Sequence, residues 1–245
     1  GDAIEMLKNG IVYDVSYLFG VHLRPIEELP FGKIAPAVHH GAALFLQGTV
    51  QGIDAHGARP HQGKNAIDVI FAIQQMLKSI YINPFEVYSA KLTKVIADGG
   101  SVNIIPGNAS FSIDIRAQKN NVLNAIQSIV DDGLSDISKM FDVKIHWNWV
   151  DKTPGAEVSE EAMKIAEKSI IDTVGEGFLA KPVYTTGSDD FHFYTVSKPE
   201  LKATMIGIGA DLKPGLHHPK MTFNKDALVI GAKVLAKTLF NATYK

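Results

Sequence analysis

Histidines carry the strongest indication of chemistry in this sequence, and two of them are adjacent. His217 and His218 stand in Gly215-Leu-His-His-Pro219, after an apolar run that predicts a strand. Imidazole binds zinc, manganese or cobalt well when a rigid loop directs it. Neighbouring residues of an extended segment point in different directions, so one histidine could bind a metal while the other packs or contacts a substrate. Two solvated loop histidines explain this spacing equally well.

A second candidate ligand is His22, at the end of the strand that we predict over residues 18–23. The alternative there is a core histidine bonded to backbone. The acidic turn 187–192 could supply carboxylates to a metal, but Ser188 and the following aspartates are also typical of a helix start. We favour the helix cap.

A third region combines two imidazoles and an arginine with a predicted helix. The extended run 46–53 leads into a loop with His56, Arg59 and His61, and Asn65 then caps an amphipathic segment. A polar loop at a helix N-terminus can hold an anionic ligand. Loops of this composition are also common and merely solvated, so both interpretations stay open.

The elements that must position these residues follow a regular order between residues 42 and 151. Period-two alternation and helical spacing predict a β-α-β-β-α-β succession, the split βαβ or ferredoxin-like arrangement. Its predicted elements are the strands 42–53, 85–96, 109–117 and 143–150 and the helices 66–81 and 121–141. In this order the second strand lies at an edge of the sheet.

The two flanks are of α/β type. The segments we expect there are a helix over 2–9, a helix over 157–172, a strand over 202–209, a loop over 216–223 and a helix over 225–244. Because neither flank makes a domain alone, we expect 1–43 and 155–245 to pack together, with 44–154 inserted as a domain of its own.

Composition narrows the classes of protein. A 46% apolar and 20% charged content is ordinary for a globular chain, and a net charge of −2 without a basic run argues against a nucleic-acid partner. No apolar run reaches the length of a membrane span. The lack of cysteine excludes disulfides and thiolate metal sites. No signal-peptide pattern is present, so we expect a cytoplasmic protein.

Six motifs occur in an order and spacing that resemble those of the M20 metallopeptidase superfamily. They are Phe19-Gly-Val-His-Leu-Arg-Pro25, Gly48-Thr-Val-Gln-Gly52 leading to Ala55-His-Gly-Ala-Arg-Pro-His61, Val102-Asn-Ile-Ile-Pro106, Ile113-Asp-Ile-Arg116, Gly187-Ser-Asp-Asp-Phe191 and Gly215-Leu-His-His-Pro219. Within the superfamily the chain is most similar to the amidohydrolase branch with hippurate, N-acyl-amino-acid and indole-acetyl-amino-acid hydrolases.

The resemblance implies a fold, a reaction and a site. It implies an α/β catalytic domain with an inserted ferredoxin-like lid that forms a homodimer, and two divalent ions (Zn, Mn or Co) that serve to cleave an amide between an acyl group and an amino acid. His22 and His217 resemble metal ligands, and His56 resembles the catalytic lid histidine that steadies an oxyanion. Asn103 and Arg116 resemble lid residues that hold the substrate carboxylate.

The chain departs from this family in two ways. Asp189 stands where the family more often has Glu, a conservative change without a clear role. The family's Cys/His-Gly-His-Asp motif and its Glu-Glu pair with the general base are absent, and the pairs Glu27-Glu28 and Glu160-Glu161 stand in the wrong places. We therefore expect the chain to start just after the general base and to be inactive alone.

Two other classes of protein stay open. The chain could be a non-catalytic dimerising or ligand-binding module derived from this family. A ferredoxin-like regulatory or RNA-binding domain is the third hypothesis, and the lack of a basic, aromatic sheet face counts against it.

Overall fold

A computed structural model gives the fold of residues 2–244. Gly1 and Lys245, which end the predicted segments 1–43 and 155–245, lie outside the described residues. The strands, in chain order, are β1 (Tyr17–Pro25), β2 (Ile34–Ala35), β3 (Val38–His40), β4 (Ala42–Gln51), β5 (Ala55–His56), β6 (Tyr88–Ala97), β7 (Ile104–Ile105), β8 (Asn108–Ala117), β9 (Lys144–Thr153), β10 (Val183–Thr185) and β11 (Lys202–Leu212). The α-helices are α1 (Asp2–Lys8), α2 (Ala66–Lys78), α3 (Asn120–Phe141), α4 (Glu160–Val174), α5 (Phe193–Ser197) and α6 (Asp226–Thr243).

The chain divides into two units. Unit 1 contains the chain up to His40 and from Ala156 onward, and unit 2 contains Gly41–Gly155. In unit 1, β1 pairs in parallel with β11, β2 pairs antiparallel with β11, and β3 forms a separate parallel pair with β10. Helices α4 and α6 pack on each other and on this sheet. The largest of their shared buried side chains are Ile34, Ile170, Ile206, Ile208 and Val234.

Unit 2 contains an antiparallel four-stranded sheet in the order β6-β8-β4-β9. Alternate residues of β8, among them Phe111, Ile113 and Ile115, are buried against α2 and α3, as period-two alternation requires. The small strands β5 and β7 form a pair apart from this sheet. The strands β6 and β9 are its edges, so the predicted edge position of the second strand is confirmed.

Local hydrogen bonds place several boundaries away from the predicted ones. The cap by Asn65 is confirmed, because its side chain accepts from the Ile67 N–H at 3.0 Å. Helix α2 ends at Lys78 and not at residue 81, since the Ser79 N–H closes the last turn on the carbonyls of Gln75 and Met76. Tyr81, which extended the apolar pattern, is 89% exposed.

The edge strand β6 begins at Tyr88, three residues later than predicted. Asn83 holds the preceding segment as a turn, with its side chain accepting from the Phe85 N–H and its carbonyl accepting from the Glu86 N–H. Phe85 and Val87 are exposed but lie outside the strand. The apolar residues that this edge presents are therefore fewer than the sequence suggested.

In unit 1, too, several strands and helices begin or end at residues other than the predicted ones. Strand β1 is longer than the predicted 18–23, and β11 continues past residue 209 to Leu212, where Leu212 pairs with Pro25 of β1. Helix α4 starts at Glu160 instead of 157, because the Ser159 side chain caps it by accepting from the Ala162 N–H. Within the described residues, no helix is long and apolar enough to cross a membrane.

Candidate metal centre

One face of β1 lies against the turn that follows β10. Gly20, His22 and Arg24 alternate along the strand and so share this face. A Cβ on Gly20 would lie 3.0 Å from Cε2 of Phe191, which shows how closely the strand approaches the turn. Glycine at this position is what permits the approach. The two segments therefore present their polar side chains to each other.

His22 presents its Nε2 atom to this turn. Its Nδ1 lies 2.6 Å from the carbonyl oxygen of Leu23. Because a carbonyl oxygen only accepts, Nδ1 carries the proton, and in the neutral ring Nε2 keeps its lone pair. Nε2 lies 4.0 Å from Oδ2 of Asp189. Two electron-pair donors thus face each other across a gap that is too long for a hydrogen bond.

Asp189 divides its two carboxylate oxygens between two tasks. Oδ1 accepts from the Phe191 N–H at 2.9 Å, so the predicted helix cap is confirmed. Oδ2 is the atom that faces His22. Asp190, the second aspartate of this turn, instead accepts from the Ala3 N–H at 3.2 Å.

The pair of donors fits a divalent cation. Imidazole nitrogen and carboxylate oxygen are both ligand types that zinc accepts, so His22 and Asp189 would be the residues here that could contribute to holding such an ion. A backbone carbonyl on the second ring nitrogen is the usual support of a metal-binding histidine. The described residues contain no group of three or more His, Cys, Asp or Glu side chains with the geometry of a metal site.

His217 lies in the loop after β11. Lys213 and Thr222 exchange backbone hydrogen bonds of 3.1 and 2.9 Å and close this loop. His217 has φ +62°, a left-handed conformation that is uncommon outside glycine. The Nδ1 atom of His218 accepts from the Lys220 N–H at 3.0 Å, and this bond closes a local turn. Among the described residues, no hydrogen bond or ring contact joins His217 to His22, so their shared ion stays a prediction.

A buried polar group accompanies His22, and sequence reasoning missed it. Arg24 NH1 lies 3.3 Å from His40 Nε2, and His40 Nδ1 lies 3.0 Å from His192 Nε2. Glu28 neutralises the guanidinium, with Oε2 2.7 Å from both Nε and NH2 of Arg24. The two histidines and the arginine are each 2–3% exposed. The only signals in the sequence are the doublet His39-His40 before a glycine and the alternation of His22 with Arg24.

Burial governs the protonation of this pair. Desolvation, with the charge of His192, Arg24 and the other nearby histidines, lowers the pKa of His40 to about 3. Desolvation likewise lowers the pKa of His192 to about 4, although the Asp189 carboxylate acts in the opposite direction. Both rings are therefore neutral at physiological pH.

The predicted lid residues lie in unit 2, and the pair β5–β7 joins two of them. His56 pairs with Ile104, and the Gly57 N–H donates to the Asn103 carbonyl at 2.7 Å. His56 Nδ1 accepts from the Ala58 N–H at 3.0 Å, and the Asn103 side-chain oxygen accepts from Ser101 Oγ at 2.8 Å.

Arg116 lies apart from these loops, on β8. Its guanidinium contacts both oxygens of Asp114 at 2.7 and 3.1 Å and lies 4.9 Å from the ring centre of Phe45. The Asp-Ile-Arg spacing places both charges on one face of the strand. The motif alone did not suggest Asp114 as the partner of Arg116.

Three of the four glutamates in the two Glu-Glu pairs are engaged elsewhere. Glu28 binds Arg24, while Glu160 pairs with Lys164 at 2.6 Å and Glu161 with Lys202 at 2.6 Å. These contacts suit structural roles.

Comparisons with known proteins agree with this architecture. Residues 39–139 match the peptidase dimerisation domain of the M20 family. Thermostable carboxypeptidase 1 of Saccharolobus solfataricus is 28% identical over 95% of this chain and 60% of its own length. One of the p-aminobenzoyl-glutamate hydrolase chains of Escherichia coli is 23% identical over 98% of this chain and 55% of its own length.

Solved structures show the same mixed α/β fold. The Bacillus subtilis protein YXEP, described as a dinuclear metal-binding peptidase of the M20 family, superposes with a TM-score of 0.76 at 19% identity, over 96% of this chain and 60% of that chain. The resemblance of the chain to the M20 superfamily is thereby confirmed. The chain spans about 60% of the length of these relatives.

Proposed function

We propose that the protein is a metal-dependent hydrolase of amide bonds in N-acyl amino acids or small peptide-like substrates. The observation that carries this proposal is Nε2 of His22 facing Oδ2 of Asp189 across 4.0 Å, while Nδ1 is bonded to the Leu23 carbonyl. The names of relatives support the class of reaction, since they include a carboxypeptidase and a p-aminobenzoyl-glutamate hydrolase.

Unit 1 would supply the metal ligands. His22 and Asp189 would hold a divalent ion, and His217 would approach from its loop as a further imidazole. Two ions in all (Zn, Mn or Co) are what the resemblance implies. When bound, a divalent ion polarises an amide carbonyl and lowers the pKa of water.

His56 is suited to steady a developing oxyanion. Because its Nδ1 accepts from the Ala58 N–H, the ring proton lies on Nε2, which can donate to a negatively charged oxygen.

Two further residues of unit 2 would hold the substrate carboxylate. Asn103 has its side-chain oxygen occupied by Ser101, so its amide N–H groups are the donors that it can offer. Arg116 would contribute charge-assisted hydrogen bonds, with Asp114 fixing the orientation of its guanidinium.

The domain roles follow the same proposal. Residues 44–154 would form a ferredoxin-like lid and dimerisation domain, since the strand order β6-β8-β4-β9 with α2 and α3 is that of a split βαβ unit. Residues 1–43 and 155–245 would form the partial catalytic domain. The match of residues 39–139 to a dimerisation domain supports a homodimer through the lid.

The test uses the gene product that contains these residues. Purified with Mn²⁺, Zn²⁺ or Co²⁺, it should hydrolyse N-benzoylglycine, lose the activity with chelator, and lose it on His22→Ala. The matched control His146→Ala removes an exposed imidazole from β9 and should leave the rate unchanged. Failure of every metal to support hydrolysis of any N-acyl amino acid would contradict the proposal.

The alternative is a non-catalytic dimerising or ligand-binding module. The lack of a three-ligand group among the described residues favours it. In that case N-benzoylglycine would bind without being cleaved.

A further inference from the structure

The side chain of Asp54 joins two segments of unit 2 that contain predicted site residues. The first segment lies between β4 and α2 and contains His56, and the second lies between β6 and β8 and contains Asn103. Oδ1 of Asp54, in the first segment, accepts from the N–H of Gly107, in the second, at 2.6 Å. This hydrogen bond, the Asp54–Gly107 bond, connects residues 53 positions apart in the chain.

The carboxylate takes the place of a backbone acceptor between the two segments. The Gly52 N–H donates to the Gly107 carbonyl at 2.6 Å, and the strands β5 and β7 pair a few residues further on. Between these points, Ile53 exchanges backbone hydrogen bonds of 3.1 and 2.9 Å with Lys64, so its N–H and carbonyl are both used there. The Gly107 N–H therefore donates to the side chain of Asp54.

The two segments approach closely at this bond, and Gly107 is buried there. A Cβ on Gly107 would lie 2.6 Å from the Asp54 nitrogen and 2.6 Å from the carbonyl carbon of Ile53, so only glycine fits. The preceding residue, Pro106, accepts with its carbonyl from the N–H of Ala66 at 2.9 Å, at the buried start of α2. The Asp54–Gly107 bond therefore ties the first segment to a part of the second that the packed core of unit 2 holds in place.

His56 and Asn103 lie at the other end of the same pairing. The Gly57 N–H donates to the Asn103 carbonyl at 2.7 Å, and the strands between this bond and the Asp54–Gly107 bond have only two residues each. His56 and Asn103 are exposed, so burial contributes little to their relative position. Short exposed pairs of this kind open easily unless their ends are held. The spacing of the two side chains therefore depends on the hydrogen bonds at both ends.

We propose that Asp54 is a positioning residue that, through Gly107, fixes the spacing between His56 and Asn103, so that both contact the same bound N-acyl amino acid. The proposal rests on the roles of His56 and Asn103 in the proposed function, and it involves no metal ligand. A charged acceptor suits the task, because a carboxylate–N–H bond is shorter and stronger than a neutral one. A misplacement of about 1 Å in such groups can cost about 100-fold in rate.

The kinetic test compares Asp54→Asn, which retains an oxygen acceptor for the Gly107 N–H, with Asp54→Ala, which removes it. In the gene product assayed with N-benzoylglycine, Asp54→Ala should raise KM and lower kcat together and reduce kcat/KM about tenfold or more, because Asn103 holds the bound substrate and His56 the transition state. Asp54→Asn should stay within about threefold of wild type, and the control Asp132→Ala, an exposed position on α3, should match wild type. A lower kcat with unchanged KM, as from incomplete folding, would overturn the positioning role, as would wild-type kinetics of Asp54→Ala.

Amide hydrogen exchange of the 245-residue chain, followed by NMR, separates this proposal from the proposed function. In Asp54→Ala the amides of Gly107 and Gly57 should exchange about tenfold faster or more, and in Asp54→Asn at close to the wild-type rate. The Leu123 amide, which donates within α3, should be unchanged in both variants and so shows that unit 2 stays folded. Unchanged exchange at Gly57 in Asp54→Ala would overturn the proposal. A wild-type gene product without hydrolytic activity would contradict the proposed function, and the exchange rates would still decide whether Asp54 fixes the two segments.

Discussion

At the scale of single residues, the hydrogen-bond partner of a histidine ring decides what the other nitrogen can do. In His22 the Nδ1 group donates to the Leu23 carbonyl, so in the neutral ring Nε2 is the nitrogen that could bind a cation. In His56 the Nδ1 atom accepts from the Ala58 N–H, so Nε2 is a donor. The same side chain is thus prepared for opposite tasks by one backbone contact.

The buried histidines predict how stability responds to pH. His40 and His192 have depressed pKa values, so between about pH 6.5 and pH 4 the unfolded chain binds more protons than the folded chain. The free energy of unfolding of the metal-free protein should therefore fall as pH decreases through this range, by about 1.4 kcal/mol per pH unit for each ring at most.

Urea unfolding across this pH range measures the effect. His192→Gln removes one titrating ring and should make the decline shallower, while His146→Gln, an exposed position, should not. An unfolding free energy that stays level from pH 6.5 to pH 4 would contradict the buried, neutral state.

Single residues were predictable from the sequence only where a motif or a local turn marks them. The cap by Asp189 follows from its place before a helix start, but the contact of its other oxygen with His22 depends on two segments far apart in the chain. Arg24, His40 and His192 were missed for the same reason, since burial of a polar side chain leaves no periodic pattern. The ligand role of His217 stays a prediction.

At the scale of elements, the site depends on the close approach of β1 to the turn 189–192. Gly20→Ala would place a Cβ 3.0 Å from the Phe191 ring and 3.5 Å from Met205 Cε, so the ring must shift. We expect a loss of about 1–2 kcal/mol in the free energy of unfolding, as for other overpacked sites.

Denaturant unfolding checks this loss, with Gly177→Ala as the control because a Cβ there has open space within 4 Å. The Zn²⁺ affinity of Gly20→Ala should also fall, since the turn carries Asp189. Equal stability of the two alanine variants would show that the strand and turn are not closely packed.

Periodicity predicted most elements, and local capping explains most of the differences. The β-α-β-β-α-β succession was visible because each segment has a clear apolar face. Ser159, Ser79 and Asn83 shifted boundaries through local hydrogen bonds that hydrophobic spacing does not encode. Strand β3, which carries His40, and its pairing with β10 were missed, because a strand of three residues has no period to detect.

At the scale of the whole molecule, the exposed edge of unit 2 predicts assembly. Strand β6 is an edge with Val95 and Ile96 47% and 56% exposed, and such edges invite pairing with another chain. Ile96→Glu should convert the expected homodimer to a monomer, because a charge there would be buried in the interface. Light scattering at micromolar concentration measures the mass.

The opposite edge supplies the matched control. Val150, on β9, is 51% exposed, and Val150→Glu should leave the dimer intact. A monomeric wild type, or a dimer that only Val150→Glu disrupts, would exclude the β6 interface.

The 245-residue polypeptide should have no metal-dependent amidase activity on N-acyl amino acids. Glu28 pairs with Arg24, Glu160 with Lys164 and Glu161 with Lys202, so these three carboxylates are occupied by cations and are poorly suited to act as a general base. Hydrolysis of N-benzoylglycine that persists through purification and disappears with chelator would refute this expectation.

Calorimetric titration with Zn²⁺ tests the metal centre most directly. The wild-type chain should bind zinc, and His22→Ala and Asp189→Asn should each weaken binding about tenfold or more. Asparagine retains the cap acceptor for the Phe191 N–H, so Asp189→Asn removes the charge without removing the cap. Zinc affinity unchanged in both variants would contradict a site between His22 and Asp189.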